Sequence, residues 1–481
     1  MEGAPQTQTK SSEQIKNGNQ VSVMSTGTKE EKNTEIAVQP DLSPRRAMKI
    51  EDPERHSREC ISNGLVGCHM EDVLRQHSEE FIQKKKQIIV LTSAGKPVYC
   101  YGRNEEDLTS ITGVIRAIEA NFESAKENLK SIETENAFFV LERIGSLLFF
   151  CYTPKEGTTV YLIREQLHLL YQQLIILLSQ SAMDILDKKQ NYDIRELLGN
   201  SATMLTTLLS ECDIHLFYTL RCYMPVLMPP ATRDALCSLF LQCRREDTIY
   251  CGLGVGQAIA VCLQHKSFPL DAMNQLLIQA MITTNPTYRS SEGWLPICIT
   301  DVRRNAFLHL YVGFVTDDVF VFFVTTATDP EVFSAYSQLK ERIYTTLVET
   351  DRLIDLYSLY NAAVTVTETG VDDLIHFVFK SESSQVILPR MDDRIYDYQD
   401  YHQMIVKYQL VYSYMTENNL TEYYESTSDY VIHATKSRDS IYIMVVSPYL
   451  TMSEVMERRQ KLTEWLLAQQ SRLIQKVNMF M

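Results

Sequence analysis

The 481-residue sequence contains no run of about 20 uncharged apolar residues, the length a helical membrane span requires. Its best candidate, Val160 to Leu178, is interrupted by Arg164, Glu165 and His168 and reads as a buried helix. The opening residues Met1 to Pro5 carry no basic-then-apolar leader, and the last four, Asn478 to Met481, hold no prenylation box. A surplus of positive charge is also missing: 46 Lys and Arg against 61 Asp and Glu leave a formal charge of −15. That excludes a broad basic surface of the kind nucleic acid requires. Eleven cysteines include no C-x-x-C, the nearest approaches being Cys60/Cys68 and Cys237/Cys243. Zinc ligation wants paired short spacings, so reduced thiols are the simpler expectation. The ten histidines form no H-x-x-x-H pair, and no G-x-S-x-G elbow occurs. His168, His309 and His433 read as core or rim residues, and Asp392, Asp393, Asp397 and Asp400 as a solvated acidic loop and helix start. No conventional active site, metal or cofactor is expected.

What is present is ordinary globular material, 45% hydrophobic and 22% charged, long enough for about three domains. Residues 1–80 stand apart. They are rich in Gln, Ser, Thr, Glu and Lys, nearly lack aromatics, and read as a disordered regulatory arm. Beyond them a grammar of strand pair, helix, strands, helix recurs. Unit one, over 86–187, pairs Ile88–Thr92 with Pro97–Tyr101 across a turn containing Gly95. A helix follows with Leu108, Ile111, Ile115, Ile118 and Phe122 on one stripe. Strands Ala137–Leu141 and Leu147–Cys151 come next, then a long helix bearing Ile163, Leu167, Leu170, Leu174 and Leu177. Leu162, Leu169 and Ile176 form a second apolar row on that helix, asking for more cover than one small sheet provides.

A helical connector over 188–245 precedes unit two, over 246–361. Its strands are expected at 248–252, 258–263, 294–299, 307–315 and 319–324, with helices over 269–283 and through Val332 to Leu347. Unit three, over 371–477, has strands at 374–379, 430–434 and 441–446, a helix through Tyr401 to Met415, and a last helix through Val455 to Leu473. Strand hairpins with helices, three times over, predict an α+β repeat architecture. Gly252-Leu-Gly254-Val-Gly256 approaches a dinucleotide fingerprint, but a strand rather than a helix follows, so it reads as a hairpin turn. Ser93-Ala-Gly-Lys96 lacks the first glycine and the Ser/Thr of a phosphate loop and is also read as a turn.

Three segments carry a family resemblance: Leu91–Tyr99 (LTSAGKPVY), Lys189–Gly199 (KQNYDIRELLG) and Glu292–Cys298 (EGWLPIC). Together they resemble the SAND family of vacuolar-fusion proteins, the Mon subunits of the two-subunit Mon–Ccz complex. The likeness runs in order from about residue 86 to 476. It departs after Cys298, where the family usually has Leu-Pro and this chain has Ile299-Thr300. The resemblance implies three longin-type domains and a cytosolic protein recruited peripherally to endosomes, late endosomes and vacuoles or lysosomes. It also implies a heterodimeric partner of the Ccz type. The implied activity is guanine-nucleotide exchange on the late-endosomal Rab GTPase, with an early-endosomal Rab as recruiter. Exchange needs no proton shuttle, only a surface that prefers the nucleotide-free GTPase.

Residues singled out for partner contact are Ser93, Lys96, Asn191, Tyr192 and Trp294. Each has a structural alternative: hairpin chemistry for Ser93 and Lys96, a connector held by Tyr192 packing, and a core position for Trp294. The competing function is a longin-domain trafficking adaptor or tether without exchange activity.

Overall fold

The structure is a computed structural model. It describes residues 20–22, 86–102, 108–124, 129–189, 192–299, 307–329, 331–362, 364–390, 398–438, 440–476 and 478–480. The remainder of the 1–80 arm and the acidic stretch around Asp392–Asp397 lie outside the described residues. One short strand belongs to the arm, β1 (Gln20–Ser22).

Strands β2 (Gln87–Thr92), β3 (Pro97–Tyr101), β4 (Ser131–Glu133), β5 (Ala137–Ile144) and β6 (Leu147–Pro154) form an antiparallel sheet ordered β3-β2-β6-β5-β4. Helix α1 (Leu108–Ser124) packs Ile111 and Ile115 with Ile89, Leu91 and Phe150 on one face. Helix α2 (Val160–Leu178) packs Leu167, Leu170 and Leu174 with Ile88, Val90 and Phe149 on the other. Covered on both faces, the central strands are continuous apolar runs rather than alternating ones. Thr159 starts α2, its hydroxyl accepting from the Leu162 N–H at 3.2 Å.

The second apolar row of α2 is covered by the chain itself. Leu169 and Ile176 join one core with Ile297 and Leu308 of the second sheet and Tyr408 and Met415 from the third domain. The expectation that this row needs more cover than one small sheet provides is met from within the chain. Ser179, with φ 73°, ends α2, and α3 (Gln180–Lys188) leaves at 101° to it. Among the described residues no single helix is long and apolar enough to cross a membrane.

The connector supplies α4 (Arg195–Leu198), α5 (Ala202–Ile214), β7 (Met224–Pro225) and α6 (Pro230–Cys243). The second sheet holds β8 (Thr248–Val255), β9 (Ala258–His265), β10 (Gly293–Ile297), β11 (Leu308–Phe314) and β12 (Val319–Thr325). Its order is β10-β11-β12-β8-β9, and β7 pairs with β9 in parallel. Helix α7 (Ala272–Thr283) covers one face, while α6, α8 (Glu331–Glu349) and α9 (Arg352–Asn361) cover the other.

The Gly252–Gly256 segment is only partly a turn. Gly256 turns the hairpin, but Gly252 and Gly254 lie inside β8. A Cβ on Gly252 would meet the Phe322 ring at 2.6 Å, and one on Gly254 the Phe320 ring at 2.1 Å. These glycines make room for aromatic rings of β12, not for a phosphate.

The third sheet contains β13 (Leu374–Lys380), β14 (Val386–Ile387), β15 (Glu422–Ser426), β16 (Val431–Lys436) and β17 (Ile441–Val446). Its order is β1-β15-β16-β17-β13-β14. Helix α10 (Tyr398–Glu417) lies on one face and α11 (Met452–Ala468), opened by a Thr451/Glu454 capping box, on the other. Val21 of β1 stands opposite Glu425 of β15. The open edge of β15 offers backbone partners to even a polar segment. The last strand, β18 (Asn478–Phe480), joins the second sheet rather than the third, parallel to β9.

Candidate partner interface

The β2–β3 hairpin and the start of the connector meet at one corner of the first domain. At the hairpin tip, the Thr92 N–H donates to the Lys96 carbonyl and the Gly95 N–H to the Thr92 carbonyl, both at 2.8 Å. Gly95 adopts φ +82°, a left-handed conformation that glycine takes without steric cost. Ser93 and Lys96 are both half-buried. The turn expectation describes the backbone, and Lys96 also reaches the connector electrostatically. Hydrogen bonds from Arg195 hold the Asp193 carboxyl below the usual carboxylate range, with the Lys96 charge acting in the same direction.

The connector is anchored by residues other than Tyr192. Ile194 and Leu198 are buried in the first core, while Tyr192 is 39% exposed. Asp193 Oδ1 accepts from the Arg195 N–H at 3.1 Å at the start of α4. Tyr99 Oη and Thr206 Oγ1, 2.8 Å apart, tie β3 to α5. Tyr192 is therefore not the residue that anchors the connector; like Ile185 (43%) and Leu197 (52%) it is partly exposed. A second exposed apolar series, Tyr344, Val348 and Ile354, lies on α8 and α9 of the second domain. Asn191 lies outside the described residues.

Trp294 sits in another domain, apart from this corner in the fold. It is half-buried in β10 and stacked on His309 with ring centroids 4.9 Å apart and planes at 7°. Phe333 meets it edge-on at 6.2 Å. The neighbouring Gly293 offers no open approach to a partner, because a Cβ there would fall 2.4 Å from the Tyr288 ring. Glu292 is held by Lys340 at 2.7 Å and by Ser337 at 3.1 Å. After Cys298, Ile299 is fully buried and Thr300 lies outside the described residues.

Among the described residues no group of three or more His, Cys, Asp or Glu side chains could hold a metal ion. The buried histidines are spent on structure. Tyr408 Oη donates to Nδ1 of His376 at 2.8 Å, and His376 Nε2 donates to the Pro389 carbonyl at 2.9 Å. That pattern is the neutral imidazole, and burial pushes its pKa down to about 4. His433 is buried against Glu422 at 2.8 Å. Buried thiols such as Cys151 are pushed up to about 12 by desolvation, which leaves them inert at neutral pH. Among the described residues, the buried histidines and thiols are not poised for proton transfer or nucleophilic attack.

Residues 86–208 match the family model described as the first Longin domain of FUZ, MON1 and HPS1, and residues 246–345 match the second. The chain is 26% identical over 404 residues to the vacuolar fusion protein MON1 homolog A of Bos taurus, covering 82% of this chain and 72% of that one. Protein SAND of Takifugu rubripes is 24% identical over 401 residues, covering 82% and 77%. The vacuolar fusion protein MON1 of Cryptococcus neoformans is 25% identical over 437 residues, covering 88% and 70%. A bacteriophytochrome from R. palustris aligns at 8% identity over 80% of this chain and 96% of that one with a TM-score of 0.16, too low to bear on the fold. With two longin models in order and relatives spanning most of its length, the chain belongs to the Mon/SAND family of vacuolar fusion proteins.

Proposed function

We propose that this chain is one subunit of a heterodimeric guanine-nucleotide exchange factor acting on the late-endosomal and vacuolar Rab GTPase, with a Ccz-type longin subunit as its partner. In this role it serves vacuolar trafficking, and its membrane association is peripheral, directed by an early-endosomal Rab. The observation that carries this reading is the corner of the first longin domain. There Tyr192 and Leu197 are exposed on the Lys189–Gly199 segment, which resembles the family, beside a hairpin pinned by backbone bonds. Exposed apolar side chains on a rigid element are the anchors of a protein interface.

Exchange follows from binding alone. A surface that prefers the nucleotide-free GTPase lowers its affinity for GDP by the same factor, and no chemical group has to be supplied. The test is release of a fluorescent GDP analogue from purified Rabs, with and without the copurified partner subunit. The expected result is fast release from the late-endosomal Rab by the pair and little by the chain alone. A pair that assembles and binds the Rab without accelerating release supports the adaptor or tether instead.

A further inference from the structure

Beyond α11 the chain leaves the third domain and returns to the second. Asn478 of β18 stands opposite Leu263 and Phe480 opposite His265, and the Lys266 N–H donates to the Phe480 carbonyl at 2.9 Å. Farther along the same edge of β9, Met224 stands opposite Ala258. Between these two short parallel strands the edge is closed by a side chain. Gln475 Nε2 donates to the carbonyls of Ile259 and, at 2.8 Å, Ala260.

The backbone of Gln475 is in turn held from the third domain. Its N–H donates to Gln385 Oε1 at 2.7 Å, and Gln385 Nε2 donates to its carbonyl at 2.7 Å. Both glutamines are buried. From α6, the buried guanidinium of Arg233 donates to the carbonyls of Ser471 at 2.8 Å and Arg472 at 3.0 Å, capping the turn from which the segment departs. Backbone bonds complete the seam: the Tyr223 N–H donates to the Ser384 carbonyl at 3.1 Å and the Val386 N–H to the Tyr223 carbonyl at 3.0 Å.

An apolar seam could join two domains with little preference for angle. Buried directional bonds cannot, because each group left unpaired keeps its full desolvation cost. The polar seam therefore has one well-satisfied geometry and a sharp penalty for leaving it. We propose that residues 470–476 and 478–480 form a latch that fixes the second and third domains in one orientation, keyed by Gln475. Opening the latch loosens this seam while each sheet, and the apolar core that the two domains share, stay packed.

The experiment is hydrogen exchange on the full chain. Gln475→Met retains side-chain length and removes the amide. It should speed exchange at Tyr223, Lys266 and Val386 about tenfold, the cost of a lost buried hydrogen bond. Phe322 and Ile443, inside the two sheets, should be unaffected. Equal acceleration at all five positions, or at none, overturns the proposal. A gain-of-function arm avoids dependence on a destabilised variant. Asn478 Nδ2 lies 2.9 Å from the Cys237 thiol, so Asn478→Cys can be oxidised onto a native cysteine to hold the latch shut. Exchange at Tyr223 and Val386 should then slow on oxidation and recover on reduction. No change at those two positions in the crosslinked protein also overturns it.

Discussion

Two segments of similar length invert the usual rule in opposite senses. In Lys189–Gly199, Tyr192 and Leu197 turn apolar side chains to solvent. In Gln470–Phe480, Gln475 turns a polar side chain into the protein, where its amide donates to β9 carbonyls while Gln385 holds its backbone. An exposed apolar residue on a firmly held element is idle surface for this chain and therefore available to another. The Gln475 amide nitrogen is committed to two carbonyls, and what it contributes is orientation. The first segment leaves apolar surface exposed; the second ties the second domain to the third.

Adjacent residues in the first segment give the sharpest way to break this comparison. Leu198 is 4% exposed and Leu197 52%. Leu198→Ala should cost about 2–5 kcal/mol of stability through the cavity it leaves, read from the denaturant midpoint. The next largest effect is acid lability in the third domain. His376 is held neutral with a pKa near 4, whereas the unfolded chain takes up that proton below about 6.5. The unfolded state thus binds more protons between these values, so stability is full above about pH 6.5 and falls as pH drops. The loss should reach on the order of 3 kcal/mol by about pH 4. Burial also lowers the pKa of His433, which acts with the same sign. Denaturant midpoints at several pH values should show a shallower acid slope in His376→Gln than in the native chain.

A smaller loss tests the second segment. Gln385→Leu strands the Gln475 N–H and carbonyl and should cost about 1–3 kcal/mol, read from the denaturant midpoint. The smallest stability effect belongs to Leu197→Ala. It should stay within about 0.5 kcal/mol of the parent while slowing GDP release by the assembled pair. A Leu197→Ala variant that melts like Leu198→Ala would erase the distinction between the two residues. One that melts normally and exchanges normally would remove Leu197 from the interface.

Strand positions with strong apolar runs were legible in the sequence to within a few residues, as Ile88–Thr92 against β2 and Ile441–Val446 against β17 show. β15 was not. Its inward residues are Tyr423 and Glu425, and a carboxylate on the buried face disguises the alternation. Only the fold brings Lys407 to 2.8 Å from that carboxylate and the Tyr423 hydroxyl to 2.6 Å. β14 and β18, of two and three residues, are too short to carry a periodicity. At the candidate interface, the family resemblance singled out the Lys189–Gly199 segment, but not that Ile194 and Leu198 would anchor it while Tyr192 and Leu197 stay exposed. Helical spacing does not say which side of a short connector meets the sheet.

The sequence by itself determined the three-sheet α+β repeat, because period-2 and period-3.6 apolar patterns are local properties of the backbone. It also determined that no cysteine or histidine pair has metal-ligand spacing. Tertiary structure decided what covers the second row of α2, that Gly252 and Gly254 serve Phe322 and Phe320, and that the last strand crosses to a neighbouring sheet. Each of these depends on contacts between residues far apart in the chain. Burial and hydrogen-bond satisfaction are properties of the whole packed molecule, so residues such as Tyr192 and Gln475 acquire their meaning only when their surroundings are in place.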